Sequence, residues 1–238
     1  EDFAAVTPFA PATQDQLLAI KINAGIGDLA QSERFAAAEP DMVEAIVEGV
    51  GQFAAGEFAP LNRMGDLEGA RLENGVVRLP DGFADAYQHY VEQGWNAIAS
   101  PEEFGGQGLP FTLAVNVIEN LGSANMAFTL LPMLSVGAIE ALEAHGSADQ
   151  KARYMADLVS GKWSGTMNLT EPQAGSDVGA LRSTAHPIED GEHAGKYRIK
   201  GQKIYITWGE HELAENIVHL VLARTPDAPE GSRGISLF

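Results

Sequence analysis

Apolar residues recur every three or four positions through the first two thirds of the chain, and in short runs through the last third. The first spacing places apolar side chains on one face of an α-helix. In the segment 41–53, Asp41 is the expected N-cap, and Pro60 with the glycines of 65–75 is expected to end the helix. The apolar positions of this helix are Val43, Ile46, Val47, Val50 and Phe53.

Five more helices are predicted, and the last of them begins with a clear N-terminal signal. Ser147 is followed three residues later by Gln150, a capping box in which each side chain bonds the other residue's backbone N–H. The Asn-Gly pair at 74–75 predicts the turn of a hairpin over 71–79. The helices are expected at 14–22, 83–93, 111–122, 124–145 and 147–159.

From residue 163 the period changes to short strand-like runs separated by turns rich in Gly, Pro and Asp. Helices followed by strands predict an α+β fold rather than an alternating doubly wound sheet. We expect an arm over 1–40, a helical domain over 41–161 and a sandwich- or barrel-like β domain over 162–238, with the boundary at 160–162. The strands are expected at 163–169, 182–188, 196–200, 202–207, 217–224 and 234–238. The last of these stops in mid-element, which predicts a fragment of a longer protein.

The charge balance limits the partners that this chain can have. It carries 33 Asp and Glu against 15 Lys and Arg, for a formal net charge of −18. Such a surface repels nucleic-acid phosphates and anionic lipids, so neither nucleic acid nor a membrane is expected as a partner. No apolar run approaches about 20 residues and no secretory signal is visible, so a cytoplasmic location is predicted.

The residue types also limit the chemistry. The chain has no cysteine, which excludes disulfides, a thiolate nucleophile and cysteine-based metal sites. Its six histidines form no pair at metal-ligand spacing on a common helix, so no metal is expected.

The run 170–177, Thr-Glu-Pro-Gln-Ala-Gly-Ser-Asp, follows the first predicted strand and contains Pro and Gly, so it predicts a turn at a sheet edge. Such a turn exposes backbone N–H groups and short hydroxyls, which can bind the carbonyls and ring nitrogens of a flat heterocycle. A plain turn without a ligand is the alternative. In the predicted strand 202–207, Tyr205 and Thr207 would share one face, placing a ring and a hydroxyl together.

The runs 167–177 and 201–207, in this order and at this spacing, resemble the two flavin-contacting segments of the acyl-CoA dehydrogenase family. The resemblance implies that Leu169 and Thr170 meet the pyrimidine side of FAD, and that Gly175 and Ser176 meet the flavin and the thioester, so that Ser176 also binds substrate. The FAD contacts implied in full are Met167, Leu169, Thr170, Gly175, Ser176, Tyr205, Ile206 and Thr207. This sequence departs from many members at Met167 and Gln173.

Further similar strings run from about Phe53 to Phe238 and resemble one branch of the family. The resemblance implies FAD-dependent α,β-dehydrogenation of an acyl-CoA thioester. The branch includes enzymes for 3-methylmercaptopropionyl-CoA, from dimethylsulfoniopropionate breakdown, and broad acyl-CoA dehydrogenases of fatty-acid use, so the acyl group stays open between these two classes. It also implies a homodimer or homotetramer, an electron-transferring flavoprotein as electron acceptor, and a C-terminal four-helix domain. The catalytic Glu is expected beyond Phe238, so no catalytic residue is assigned here, Glu171 included, and the chain alone is expected to be inactive.

Three alternatives remain open from the sequence. One is an acyl-CoA oxidase with the same flavin segments, and another is a non-catalytic flavin-binding paralogue with a regulatory role. The third is a helical interaction domain joined to an unrelated β module. The role of Trp208, where many members carry a small or amide side chain, also stays open between shaping the pocket and covering the sheet.

Overall fold

The computed structural model describes residues 8–238, and its helices precede its sheets as predicted, apart from a hairpin at 71–78 between two helices. Seven α-helices lie at α1 Thr13–Ile22, α2 Ile26–Leu29, α3 Pro40–Phe53, α4 Ala59–Glu68, α5 Phe83–Glu92, α6 Phe111–His145 and α7 Ala148–Val159. The strands are β1 Arg71–Glu73, β2 Val76–Arg78, β3 Trp163–Asn168, β4 Thr184–Pro187, β5 Tyr197–Lys200, β6 Asn216–Ala223 and β7 Ser236–Leu237.

Helix α3 does not end where the proline and glycines predicted. Glu39 rather than Asp41 occupies the N-cap position, and a π-helical turn over Ala54–Phe58 leads directly into α4. Pro60 lies in the first turn of α4, where its fixed φ is compatible with a helix. Gly65 lies inside α4 because a side chain there would meet Phe83, with a Cβ only 2.9 Å from its Cζ.

The N-terminal arm is helical over more of its length than predicted. The helix expected at 14–22 is confirmed as α1, and Leu17 and Ile20 are buried against the core. Helix α2 and a 3-10 turn at Glu33–Phe35 follow, so the expectation of an extended arm is wrong for these residues. Residues 1–7 of that arm lie outside the described part of the chain.

Helix α6 is two helices that meet at Asn125, where φ is −158° and ψ is 87°. The two helices predicted at 111–122 and 124–145 are therefore confirmed, with the break at Asn125. The Asn125 side chain caps the second helix, since its Oδ1 accepts from Phe128 N at 3.1 Å, and its Nδ2 donates to Phe58 O at 3.3 Å, which ties the break to the π-helical turn. By length and composition α6 could cross a bilayer, but 14 of its residues are buried inside the protein.

Aromatic side chains occupy the centre of the helical core. Phe58 and Phe128 stack with their ring centroids 4.4 Å apart and their planes at 11°, and both are fully buried. Phe53 and Tyr90 pack around Phe58 at centroid distances of 5.7 and 6.3 Å. These rings join the π-helical turn, α5 and the second half of α6 in one cluster.

Strand β3 connects the helical part of the chain to the β part. It pairs in parallel with β6, from Trp163 opposite Asn216 to Asn168 opposite Val221, and β7 runs antiparallel on the far side of β6. Strands β4 and β5 form a separate antiparallel pair, as does the hairpin of β1 and β2 around Asn74-Gly75, which is confirmed. The strand predicted at 202–207 is absent from the described residues, where this segment is irregular.

Truncation of Phe58 should test the aromatic core. We expect Phe58→Ala to lower the free energy of unfolding by about 3–5 kcal/mol, because it leaves a cavity beside Phe128. Leu67→Ala is the matched control, since Leu67 is 67% exposed and its loss should change stability by less than about 0.5 kcal/mol. Urea denaturation followed by circular dichroism would measure both, and equal effects would contradict this description of the core.

Candidate functional site

Strand β3 ends at Asn168 and delivers the first motif to the edge of the sheet. Leu169 and Thr170 follow it and are half-buried. A tight turn then forms, in which Glu171 N donates to Ala174 O at 2.9 Å and Ala174 N donates to Glu171 O at 3.0 Å. Gly175 and Ser176 lie beyond this turn and are exposed. The turn predicted at the end of the strand is confirmed.

The second motif lies alongside the first. Ile204 N donates to Thr170 O at 3.0 Å, and Thr166 Oγ1 donates to Thr207 O at 2.7 Å. Residues more than 30 positions apart in sequence are thereby placed at one sheet edge. The structure thus brings together the two segments that the sequence singled out.

The conformation of the second motif differs from the prediction. Tyr205 has φ of 56° and Trp208 has φ of 52°, values in the left-handed region that non-glycine residues rarely adopt. A strand cannot continue through such a residue, so the argument that Tyr205 and Thr207 alternate with Ile206 along a strand was wrong. Tyr205 is 88% exposed, so its ring is not buried against the sheet edge.

The donors at this edge fit the hydrogen-bonding face of a flavin. Among the described residues, the hydroxyls of Thr170, Ser176 and Thr207 have no hydrogen-bond partner within the chain. A Cβ built at Gly175 would meet nothing within 4 Å, so the space above this turn is open. Met167, in β3, is half-buried. The set of free hydroxyls beside open space matches a flat ring with several polar atoms.

Glu171 is the residue of the first motif that the structure explains most fully. Burial would raise its pKa, but hydrogen bonds from Ser183, from the Arg182 N–H and from Lys203 outweigh burial and lower the pKa to about 2. Its oxygens are occupied by these donors, so it is a fixed anion and not a proton acceptor. The sequence did not reveal this role, because Arg182, Ser183 and Lys203 are 11 to 32 residues away from Glu171 with no distinguishing pattern.

A buried histidine lies behind the second motif. His211 Nδ1 accepts from Leu213 N at 3.2 Å, which leaves the ring proton on Nε2, 3.0 Å from Ser164 Oγ. Burial, with a smaller contribution from nearby His219, lowers the pKa of His211 to about 4. The neutral ring therefore ties the loop after Trp208 to strand β3.

Trp208 lies in the wall of a large cleft. Its Nε1 donates to Ala127 O at 2.9 Å, and its ring packs on Phe128 at a centroid distance of 5.8 Å. Trp208 therefore shapes a pocket and does not cover the sheet. The cleft has a volume of about 1190 Å³. Besides Trp208 and Phe128, its walls include Leu79, Phe83, Asn125 and Asn62.

The comparisons with known proteins identify the family of this chain. The model of the acyl-CoA dehydrogenase N-terminal domain matches residues 40–162, more than half of the chain. The chain therefore belongs to the acyl-CoA dehydrogenase family.

Two curated relatives and one solved structure show the extent of the similarity. Over 84% of its length the chain is 55% identical to 3-methylmercaptopropionyl-CoA dehydrogenase of Ruegeria pomeroyi, and over 75% it is 37% identical to a butyryl-CoA dehydrogenase of Syntrophomonas wolfei. It spans 33% and 29% of the lengths of these two proteins. An FAD complex of PigA matches 84% of this chain and 48% of its own, with 25% identity and a TM-score of 0.65.

The buried histidine predicts acid sensitivity. Because the unfolded ring binds a proton near pH 6.5 and the folded ring only near pH 4, stability should fall as the pH is lowered from 6.5 to 4, by about 3 kcal/mol in total. His211→Gln should remove this part of the pH dependence, while His193→Gln, at an exposed position, should not. Denaturation of the three proteins at pH 7 and pH 4.5 would measure it. Parallel losses in all three would contradict the prediction.

Proposed function

We propose that the protein is an FAD-dependent acyl-CoA dehydrogenase that removes hydrogens from the α and β carbons of a CoA thioester. The observation that carries the proposal is the hydrogen bond between Ile204 N and Thr170 O, which joins two separate motifs at one sheet edge. Family membership and the 55% identity to a curated dehydrogenase support it. Both motifs lie within residues 162–238, beyond most of the helical part.

In this proposal the sheet edge binds the cofactor. Leu169 and Thr170 hold the pyrimidine side of FAD, and Gly175 and Ser176 lie against the flavin next to the thioester. Tyr205, Ile206 and Thr207 complete the site together with Met167. When bound, FAD supplies the acceptor for the hydride that leaves the β carbon. The free hydroxyls and the FAD complex of PigA support this assignment.

We also propose that the acyl group lies in the cleft beside Trp208. Its apolar walls include Phe83, Phe128 and Trp208, and Trp208 directly follows Thr207. Its polar groups are Asn62, Asn125 and the ion pair of Arg63 with Asp66. An acyl chain placed there packs against the apolar walls, which favours alignment of the α and β carbons with the cofactor. By the similarity to the Ruegeria enzyme, the proposed acyl group is 3-methylmercaptopropionyl.

The general base is proposed to be a Glu outside residues 1–238. A base needs a pKa near the working pH and an oxygen free to accept the α-proton. Glu171, the carboxylate within the motif, meets neither requirement, since its pKa is about 2 and donors occupy both oxygens.

The rest of the proposal follows the family: a homodimer or homotetramer in the cytoplasm that passes electrons to an electron-transferring flavoprotein.

Anaerobic titration of the whole encoded protein with acyl-CoAs would test the proposed reaction. We expect a yellow protein whose flavin band bleaches with 3-methylmercaptopropionyl-CoA at lower concentration than with butyryl- or octanoyl-CoA. A yellow protein that no thioester bleaches would overturn the dehydrogenase proposal in favour of a non-catalytic flavoprotein. A reduced protein that reoxidises rapidly in air would instead indicate an oxidase.

Substitution of Trp208 would test the proposed acyl cleft. Trp208→Ala removes an indole from the cleft wall and should shift the preference of kcat/KM towards longer acyl chains by about tenfold, which corresponds to burying about two more methylenes at about 0.8 kcal/mol each. Trp163→Ala is the control, because Trp163 packs on Tyr154 away from the cleft. An unchanged ratio between octanoyl- and butyryl-CoA would place the acyl group elsewhere.

A further inference from the structure

The Glu171 carboxylate is a junction between separate segments of the chain. The residue is 4% exposed, and each oxygen accepts two hydrogen bonds. Oε1 accepts from Ser183 N at 3.0 Å and Lys203 Nζ at 2.9 Å. Oε2 accepts from Arg182 N at 2.7 Å and Gln173 Nε2 at 2.7 Å. One side chain thus joins the first motif to the segment before β4 and to the segment before Tyr205.

Lys203 makes the same junction from the other side. Its ammonium donates to Leu169 O at 3.1 Å as well as to Glu171, and its side chain is only 11% exposed. The carbonyl of Leu169 lies between β3 and Thr170, so Lys203 holds the first motif at two points. It also lies one residue before Ile204, whose N–H bonds Thr170 O.

The approach of these segments is close enough to require a glycine. A Cβ at Gly201 would lie 2.0 Å from Ser183 Oγ and 2.9 Å from Ser183 Cα, so no other residue fits without moving the chain. Gly201 thereby lets Lys203 reach a carboxylate that is already bound to Ser183. Glycine, lysine and carboxylate together fix the separation of the two motifs.

We propose that Glu171 and Lys203 are positioning residues that set the spacing between the hydroxyls of Thr170 and Thr207 at the flavin site. The proposal rests on the proposed function. Neither charged group acts on a ligand directly, because the carboxylate has four protein donors and the ammonium contacts protein oxygens. Their influence passes through Thr170, which precedes Glu171, and Ile204, which follows Lys203. The pair matters because a buried charge without its partner is costly and the segments would separate to hydrate it.

Binding of FAD to the whole encoded protein tests this role. We expect Lys203→Met and Glu171→Gln to raise the Kd for FAD at least tenfold, since each removes charge-assisted hydrogen bonds at a buried site. At saturating FAD, the visible absorption and circular dichroism bands of the flavin should differ from those of the wild type. Lys203→Arg, which keeps the positive charge and its donors, should restore most of the affinity. Lys162→Met is the matched control, because Lys162 forms its ion pairs, with Asp157 and Glu215, at the surface.

The flavin spectrum separates positioning from simple stabilisation. A pair that only stabilised the fold would lower the melting temperature while leaving Kd and spectrum unchanged, and that result would overturn the proposal. If the wild type binds FAD and the variants have the same Kd and spectra as the wild type, the positioning role alone is overturned. Wild type that binds no FAD would overturn the proposed function and the positioning role together.

Discussion

The close contact between strand β3 and helix α6 sets the position of everything else in the β part of the chain. A Cβ at Gly165 would lie 2.5 Å from the Ala138 Cβ, so only glycine allows the strand to lie against the helix. Gly165 N also donates to Ser135 Oγ at 3.0 Å, which fixes the strand along the helix axis. This contact therefore sets the positions of both motifs, because the first motif continues from β3 and the second motif is hydrogen-bonded to β3.

Several polar contacts keep the loops around the site in place. Arg224 donates to the carbonyl oxygens of Gly179, Leu181, Pro229 and Gly231, which joins the end of the first motif to the chain before β7. The ion pair of Arg78 with Glu212 joins the β1–β2 hairpin to the loop that carries His211. In a chain with a net charge of −18, these few cations serve structure by binding carbonyls and single carboxylates.

The helices were largely predictable from the sequence because their buried faces repeat with the helical period, and Ser147 and Gln150 form the predicted capping box. The prediction that Pro60 ends the helix was wrong, because Pro60 lies in the first turn of α4, where a proline is compatible with a helix. The same residue two turns further along would break the helix. The prediction of a strand over 202–207 was wrong because the composition of this segment suits a strand, while its conformation is set by the contacts of Lys203 and by the left-handed backbone of Tyr205. Both outcomes depend on tertiary contacts, which local pattern does not encode. The grouping of the two motifs came from resemblance, and the Glu171 junction became visible only in three dimensions.

Asn125 has two duties that constrain how this protein can diverge. It is the corner of α6, where its side chain caps the second helix, and it is also a wall of the cleft. A substitution of Asn125 that changed the cleft would also disturb the break in α6. Many such variants would fold poorly, whatever their effect on substrate selectivity. Leu79 and Pro80, on the loop after β2, line the same cleft but have no part in the break of α6. Divergence among close relatives should therefore accumulate on the loop side of the cleft and spare the corner.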